Sequence, residues 1–203
     1  MKEALQLSDK IADKEINVLL TGEAGTGKEM IARRIHCRSL RRERAFVSVD
    51  CMSINERQLE AELFGEEIFD RVKPGLLEMA NGGTLFLNNV ETLTMSMQNK
   101  LAQFLANRIA HRVGSNITYR SDVRVISATT KNLLDLIESK NFREDLFYAL
   151  NTVQVKIPSL KERKEDIELL AVHFMNEGKN REAHKSLSPQ VAKILTDYHW
   201  PGN

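Results

Sequence analysis

Gly22 to Glu29 reads GEAGTGKE, directly behind the apolar run Ile16 to Leu20 and ahead of a helical pattern from Met30 to Leu40. A strand, a glycine-rich turn and a helix in that order build a phosphate cradle. Gly22, Gly25 and Gly27 let the backbone wrap close to an anion with its N–H groups turned inward. The helix start adds partial positive charge and Lys28 a full one. Gly22, Glu23, Ala24, Gly25, Thr26, Gly27, Lys28 and Glu29 are therefore the expected binding residues for a nucleotide's β- and γ-phosphates. The pattern is the Walker A form except at its last position, where Glu29 replaces the Ser or Thr that would hold Mg²⁺. The alternative is an ordinary glycine turn, against which both flanks argue.

Composition sets the scale around that turn. The chain has 203 residues, 42% hydrophobic and 28% charged, enough for one substantial core and a small appendage. A formal net charge of +1 gives no global field for nucleic acid. The cluster Arg38, Arg41, Arg42 and Arg44 reads as a solvated helix end, so direct DNA binding by this segment is not expected. Cys37 and Cys51 have no partner spacing for a metal or a redox pair. No apolar stretch reaches the roughly 18 residues of a membrane span, and no signal peptide is visible, so the expected compartment is the cytoplasm with no membrane partner.

Along the chain, Ala4, Leu5, Ser8, Ile11 and Ala12 mark one face of a helix within residues 2–14. Phe46 to Val49, Thr84 to Leu87, Asp122 to Ala128 and Val153 to Ile157 read as further strands. Helices are expected over 55–64, around Met97, Leu101, Phe104 and Leu105, and over 142–150, whereas Glu66 to Pro74 reads as polar and irregular. After Pro158 only helical patterns remain. One carries Ile167, Leu170, Ala171 and Phe174; the other starts at Ser188 and Pro189 and should bury Val191, Ile194, Leu195 and Tyr198. Strands alternating with helices predict a parallel sheet covered on both faces, an α/β three-layer sandwich. The expected division is a nucleotide-binding subdomain over 1–158 and a helical lid over 159–203, incomplete at its C-terminal end.

GEAGTGKE, ELFG at 62–65, GGTLFL at 82–87, DVRVISAT at 122–129, FREDLFY at 142–148, PSLKERKEDI at 158–167 and WPGN at 200–203 together resemble the AAA+ domain of the bacterial sigma-54-dependent, enhancer-binding transcriptional activators. The resemblance spans essentially the whole chain and includes Glu29. It implies a P-loop AAA+ fold, ATP as ligand, ring or dimer self-association, and hydrolysis that drives a GAFTGA loop against sigma-54. It also implies flanking sensor and DNA-binding domains through which the full-length protein meets RNA polymerase and DNA.

Five features depart from the family pattern. Between ELFG and Gly75 stands only EEIFDRVKP, with no GAFTGA. The strand TLFL runs into Asn88 and Asn89 where the family has Asp-Glu, and an amide neither neutralises a metal nor takes a proton. Thr130 replaces the Asn that senses the γ-phosphate. Arg143 is kept at the implied subunit boundary, but its companion arginine is Ala149. The chain also stops at WPGN, ahead of the lid arginine. One exchange runs the other way: Asp50 stands where the family has an Asn switch, opposite Asn89. A missing general base alone costs ~10² to 10⁴ in rate.

The expected protein is thus a regulator that binds ATP or ADP with little hydrolysis, has few ligands for Mg²⁺, makes no contact with sigma-54, and is a monomer or dimer without ligand. Two alternatives stay open: a slow ATPase using Asp50 as base, and a cyclic-dinucleotide module in which Lys28, Arg33 and the backbone N–H groups hold the ligand without metal.

Overall fold

The computed structural model describes residues 1–68, 71–176 and 186–203. In chain order the first half comprises α1 (Lys2–Ile11), β1 (Val18–Thr21), α2 (Lys28–Cys37), β2 (Phe46–Asp50), α3 (Glu56–Phe64), β3 (Glu66–Ile68), β4 (Arg71–Lys73) and α4 (Leu76–Met79). Then follow β5 (Thr84–Asn88), α5 (Met95–Asn107), β6 (Ile109–His111), β7 (Thr118–Arg120), β8 (Arg124–Thr129), α6 (Leu133–Glu138), α7 (Glu144–Leu150), β9 (Val153–Lys156), α8 (Ile167–Asn176) and α9 (Pro189–Asp197). Five strands form one parallel sheet in the order β2-β5-β8-β1-β9. Such a sheet needs cover on both faces, and the strand sequences already require it.

Successive strand residues serve opposite faces. Leu85, Leu87 and Val125 pack with Leu59 and Leu63 of α3, Met97, Leu101 and Phe104 of α5, and Leu146 and Leu150 of α7. Phe86, Ile126 and Ala128 point the other way, toward Ala4 and Ile11 of α1 and Ile31, Ala32 and Ile35 of α2. Every residue from Thr84 to Leu87 and from Arg124 to Thr129 is buried, which is why Leu85 to Leu87 reads as an unbroken apolar run instead of an alternating one. Each large apolar side chain removed from water there contributes about 1.5–3 kcal/mol.

His36 is the packing residue that its lack of metal-spaced partners suggests. It is 5% exposed, places Nδ1 2.9 Å from Thr84 Oγ1, and lies tilted against Phe46. Burial pushes its pKa below the ordinary 6.5. The neutral ring is therefore the folded form: its contribution is whole above pH 6.5 and is lost as pH falls through the depressed folded-state value. Chemical denaturation of wild type should show stability declining on the acid side of that window. His36→Gln should flatten this segment of the profile, and an unchanged slope would remove His36 as its source.

Three departures from the sequence reading have physical causes. The described part of Glu66 to Pro74 is not irregular but a pair of antiparallel strands, with Glu66 opposite Lys73 and Glu67 opposite Val72. It is anchored to the segment after β6, where Glu67 N donates to Val113 O at 2.9 Å and Val113 N to Gly65 O at 2.8 Å. β6 and β7 make a second such pair that the sequence did not announce. Strands of three residues are too short for a visible period, and their order comes from these distant partners. Finally, Phe174, Ile194 and Tyr198 are 64%, 68% and 57% exposed, and Val191 is 43% exposed. The cap is as expected, with Ser188 Oγ accepting from Val191 N, but α9 packs on α8 and one neighbouring helix cannot cover its whole stripe.

Candidate phosphate-binding site

β1 delivers the chain to the carboxyl edge of the sheet, the edge where open parallel sheets take their ligands. Gly22 N donates to Thr129 O at 3.3 Å and Ile157 N to Thr21 O at 2.7 Å, so the loop starts clamped between β8 and β9. A Cβ on Gly22 would stand 2.6 Å from Ile157 O, which excludes any other residue without backbone movement. Gly27 closes the turn at φ +94°, a left-handed conformation, and serves as N-cap of α2 without a capping side chain. The first-turn N–H groups of α2, on Lys28, Glu29 and Met30, have no intrahelical acceptor and face the loop end. An anion satisfies them.

Lys28 is 7% exposed and folds back over its own loop, donating from Nζ to Gly22 O and Glu23 O at 2.8 Å each. Burial lowers its pKa, while the negative charge of Glu91 acts in the opposite direction. Thr26 Oγ1 donates to Glu23 O at 2.8 Å and tightens the turn. From the lid side, Arg163 Nη2 donates to Thr26 O at 3.0 Å. Asn203 Nδ2 donates to Ala24 O at 2.8 Å and to Glu23 Oε2 at 3.1 Å, while its Oδ1 accepts from Leu160 N at 2.6 Å. Residues of both subdomains thus brace one loop. Glu29 takes no part in that bracing: its carboxylate accepts from Arg33 Nε and Nη2 at 3.1 and 2.8 Å, and the Arg33 guanidinium lies over the Phe46 ring.

The neighbouring strand ends bring together the substituted positions. Asn89 Nδ2 donates to Asp50 Oδ1 at 2.8 Å, Asn88 Nδ2 sits 3.5 Å from Asp50 Oδ2, and Met52 N donates to Asp50 Oδ1 at 3.0 Å. Asp50 is therefore opposite Asn89, as the exchange of amide and carboxylate suggests, and both amides spend donors on it. Asn89 adopts a left-handed φ of 55° and opens the 3-10 turn Val90–Thr92. That turn swings Glu91 against the end of β8, where Glu91 Oε1 accepts from Thr130 N at 2.9 Å and Thr130 Oγ1 at 2.7 Å.

The model of the sigma-54 interaction domain matches residues 1–156. The chain belongs to that family. The model of the AAA+ ATPase lid domain matches residues 161–203. Relatives within the family include the transcriptional regulatory protein ZraR of Escherichia coli (strain K12), 42% identical over 200 residues that make up 95% of this chain and 45% of ZraR. The regulatory protein AtoC of the same strain is 40% identical over 201 residues, 96% of this chain and 44% of AtoC. A crystal structure of NtrX from Brucella abortus in complex with ATP superposes with a TM-score of 0.90 at 37% identity, covering 100% of this chain and 47% of that one. The chain spans about half the length of these relatives. The five-stranded parallel sheet with its glycine loop is accordingly a P-loop AAA+ fold, as the motifs predicted.

As a sigma-54 interaction domain it has no described helix long and apolar enough to cross a membrane. Arg143 stands at the N-terminus of α7, where its Nε and Nη2 hold Asp145 Oδ1 and Oδ2 at 3.0 and 2.7 Å. Buried Gln98 positions it by accepting from Arg143 N at 2.7 Å. Ala149 lies on the same helix and accepts from Asn17 Nδ2 at 2.9 Å. Sequence reasoning missed Glu91, Arg163 and Gln98. Glu91 had one usable signal, an Asn preceding it by two residues, since Asn tolerates the left-handed turn that redirects the chain. Arg163 and Gln98 had none, because their partners are 137 and 45 residues away.

Proposed function

We propose that this domain binds ATP or ADP as a regulatory ligand of a bacterial transcriptional regulator and hydrolyses it little or not at all. The observation that carries the reading is the pairing of Asn88 and Asn89 with Asp50: the strand-end pair presents amides, already engaged, in place of an acid and a base. The intact cradle, with Lys28 buried in it, supports binding. So does the ATP-bound NtrX relative. In the place expected for the sigma-54-contacting loop stands the β3–β4 strand pair, whose six described residues contain no GAFTGA, and the domain is accordingly proposed not to engage sigma-54. RNA polymerase and DNA are partners of the full-length protein, through domains outside these residues.

Isothermal titration with ATP, ADP and a cyclic dinucleotide, with and without Mg²⁺, tests this alongside a phosphate-release assay. The expected result is saturable binding of both adenine nucleotides and phosphate release no faster than in Lys28→Ala. Turnover above that background, lost in Asp50→Asn, would replace this reading with the slow ATPase. Binding of the cyclic dinucleotide alone would replace it with a metal-free dinucleotide module.

A further inference from the structure

Glu91 sits apart from the substituted pair yet faces the same site. Its Oε1 is fixed by two donors from Thr130, at the end of the strand that neighbours both β5 and the cradle-bearing β1. Its Oε2 is shielded from solvent and has no hydrogen-bond partner among the described residues. The charge of this carboxylate is felt by the Lys28 ammonium in the cradle. A shielded carboxylate oxygen without a partner is costly, and a cation is the partner that removes the cost. No group of three His, Cys, Asp or Glu side chains comes together among the described residues, so an all-protein metal cage is absent there. Mg²⁺ does not need one: it commonly takes one or two carboxylates and completes its shell with water and phosphate oxygens.

We propose that Glu91 holds the hydrated divalent cation that accompanies a nucleotide's phosphates in this site, taking over the acidic role for which Asn88 and Asn89 carry no charge. Thr130 is then a positioning residue, fixing one oxygen while the other keeps its lone pairs uncommitted to any donor among the described residues. The expectation that Mg²⁺ lacks ligands came from positions 29, 88 and 89, and Glu91 lies outside that set. The inference rests on the nucleotide reading above.

The test titrates ADP and ATP into wild type and Glu91→Gln, each in Mg²⁺ and in EDTA, and follows Mn²⁺ binding in the presence of ADP by electron paramagnetic resonance. Gln keeps an acceptor for Thr130 and removes the charge. Wild type should gain about tenfold in affinity from Mg²⁺, equivalent to about 1.4 kcal/mol. Glu91→Gln should lose that gain and the tight Mn²⁺ signal while still binding nucleotide in EDTA. Thr130→Val, which removes only one donor, should retain part of the gain. A full metal gain in Glu91→Gln would overturn the proposal with nucleotide binding left standing. Failure of wild type to bind any nucleotide in either buffer would remove the underlying reading, and this one with it.

Discussion

Lys28→Ala should weaken ATP and ADP binding by about 100-fold, the largest functional effect expected of any single substitution here. Hydrogen bonds to charged groups contribute about 1.5–3 kcal/mol each, and a factor of ten corresponds to about 1.4 kcal/mol. In the free protein the ammonium already donates to Gly22 O and Glu23 O, so it is held over the mouth of the loop before any phosphate arrives. Its burial works against the charged form, which makes an anionic partner more valuable to it than it would be to an exposed lysine. Stability without ligand should move little, because removing a buried charge offsets the two carbonyls left without a donor. A thermal-shift series therefore separates the effects: wild type should rise with nucleotide concentration by mass action, about 2.7 kcal/mol at a hundred times its Kd, and Lys28→Ala should gain only about 0.4 kcal/mol at that same concentration. Equal shifts in both proteins would mean the nucleotide sits elsewhere.

The largest structural effect is expected from Arg124→Met. Arg124 is 2% exposed, and its guanidinium donates to Ile11 O at 2.9 Å, Ala12 O at 2.6 Å and Ile16 O at 3.2 Å. These carbonyls lie at and just beyond the C-terminus of α1, where a cation also meets the favourable end of the helix dipole. Burial lowers the Arg124 pKa, the mark of a desolvation cost that its three acceptors must exceed. Methionine keeps the stem and loses all three donors. With that cost returned, the net loss should be about 3–4 kcal/mol, or about 6–16 °C in Tm for a domain of this size. Hydrogen exchange locates the damage: amides of Lys2–Ile11 should lose protection first, although the Asp9 pair with Arg34 still ties α1 to α2. Protection of α1 equal to wild type would show that Arg124 is not its anchor.

The elements that the sequence determined are those whose signal is local. Leu85 to Leu87 and Val18 to Leu20 are apolar throughout because both faces of a parallel sheet are covered. The cradle was legible because glycine at Gly22 and Gly27 answers backbone demands, a close carbonyl and a left-handed φ, that few other residues meet. Asn55 and Ser188 mark helix starts by accepting from an N–H three residues on, a geometry set within one turn. The meeting of Asp50 with Asn89 was implied only by the family resemblance; in the sheet Asp50 is level with Asn88, and Asn89, one residue on, reaches it with a hydrogen bond.

Tertiary structure alone decided the rest. β3 and β4 form a strand pair because they anchor to the segment after β6, and the apolar stripe of α9 stays half open because periodicity specifies a face but not what covers it. Arg163 and Asn203 brace the cradle from more than 130 positions away. Glu91 is the clearest case. In sequence it is one more charged residue after a strand. In the fold a left-handed Asn89 turns it onto Thr130, 39 residues distant, and leaves its second oxygen shielded, with no hydrogen-bond partner among the described residues. The sequence could determine the cradle because its conformation is dictated by the residues that form it. The carboxylate beside it depends on where two separate strands end, and that is known only once the sheet is assembled.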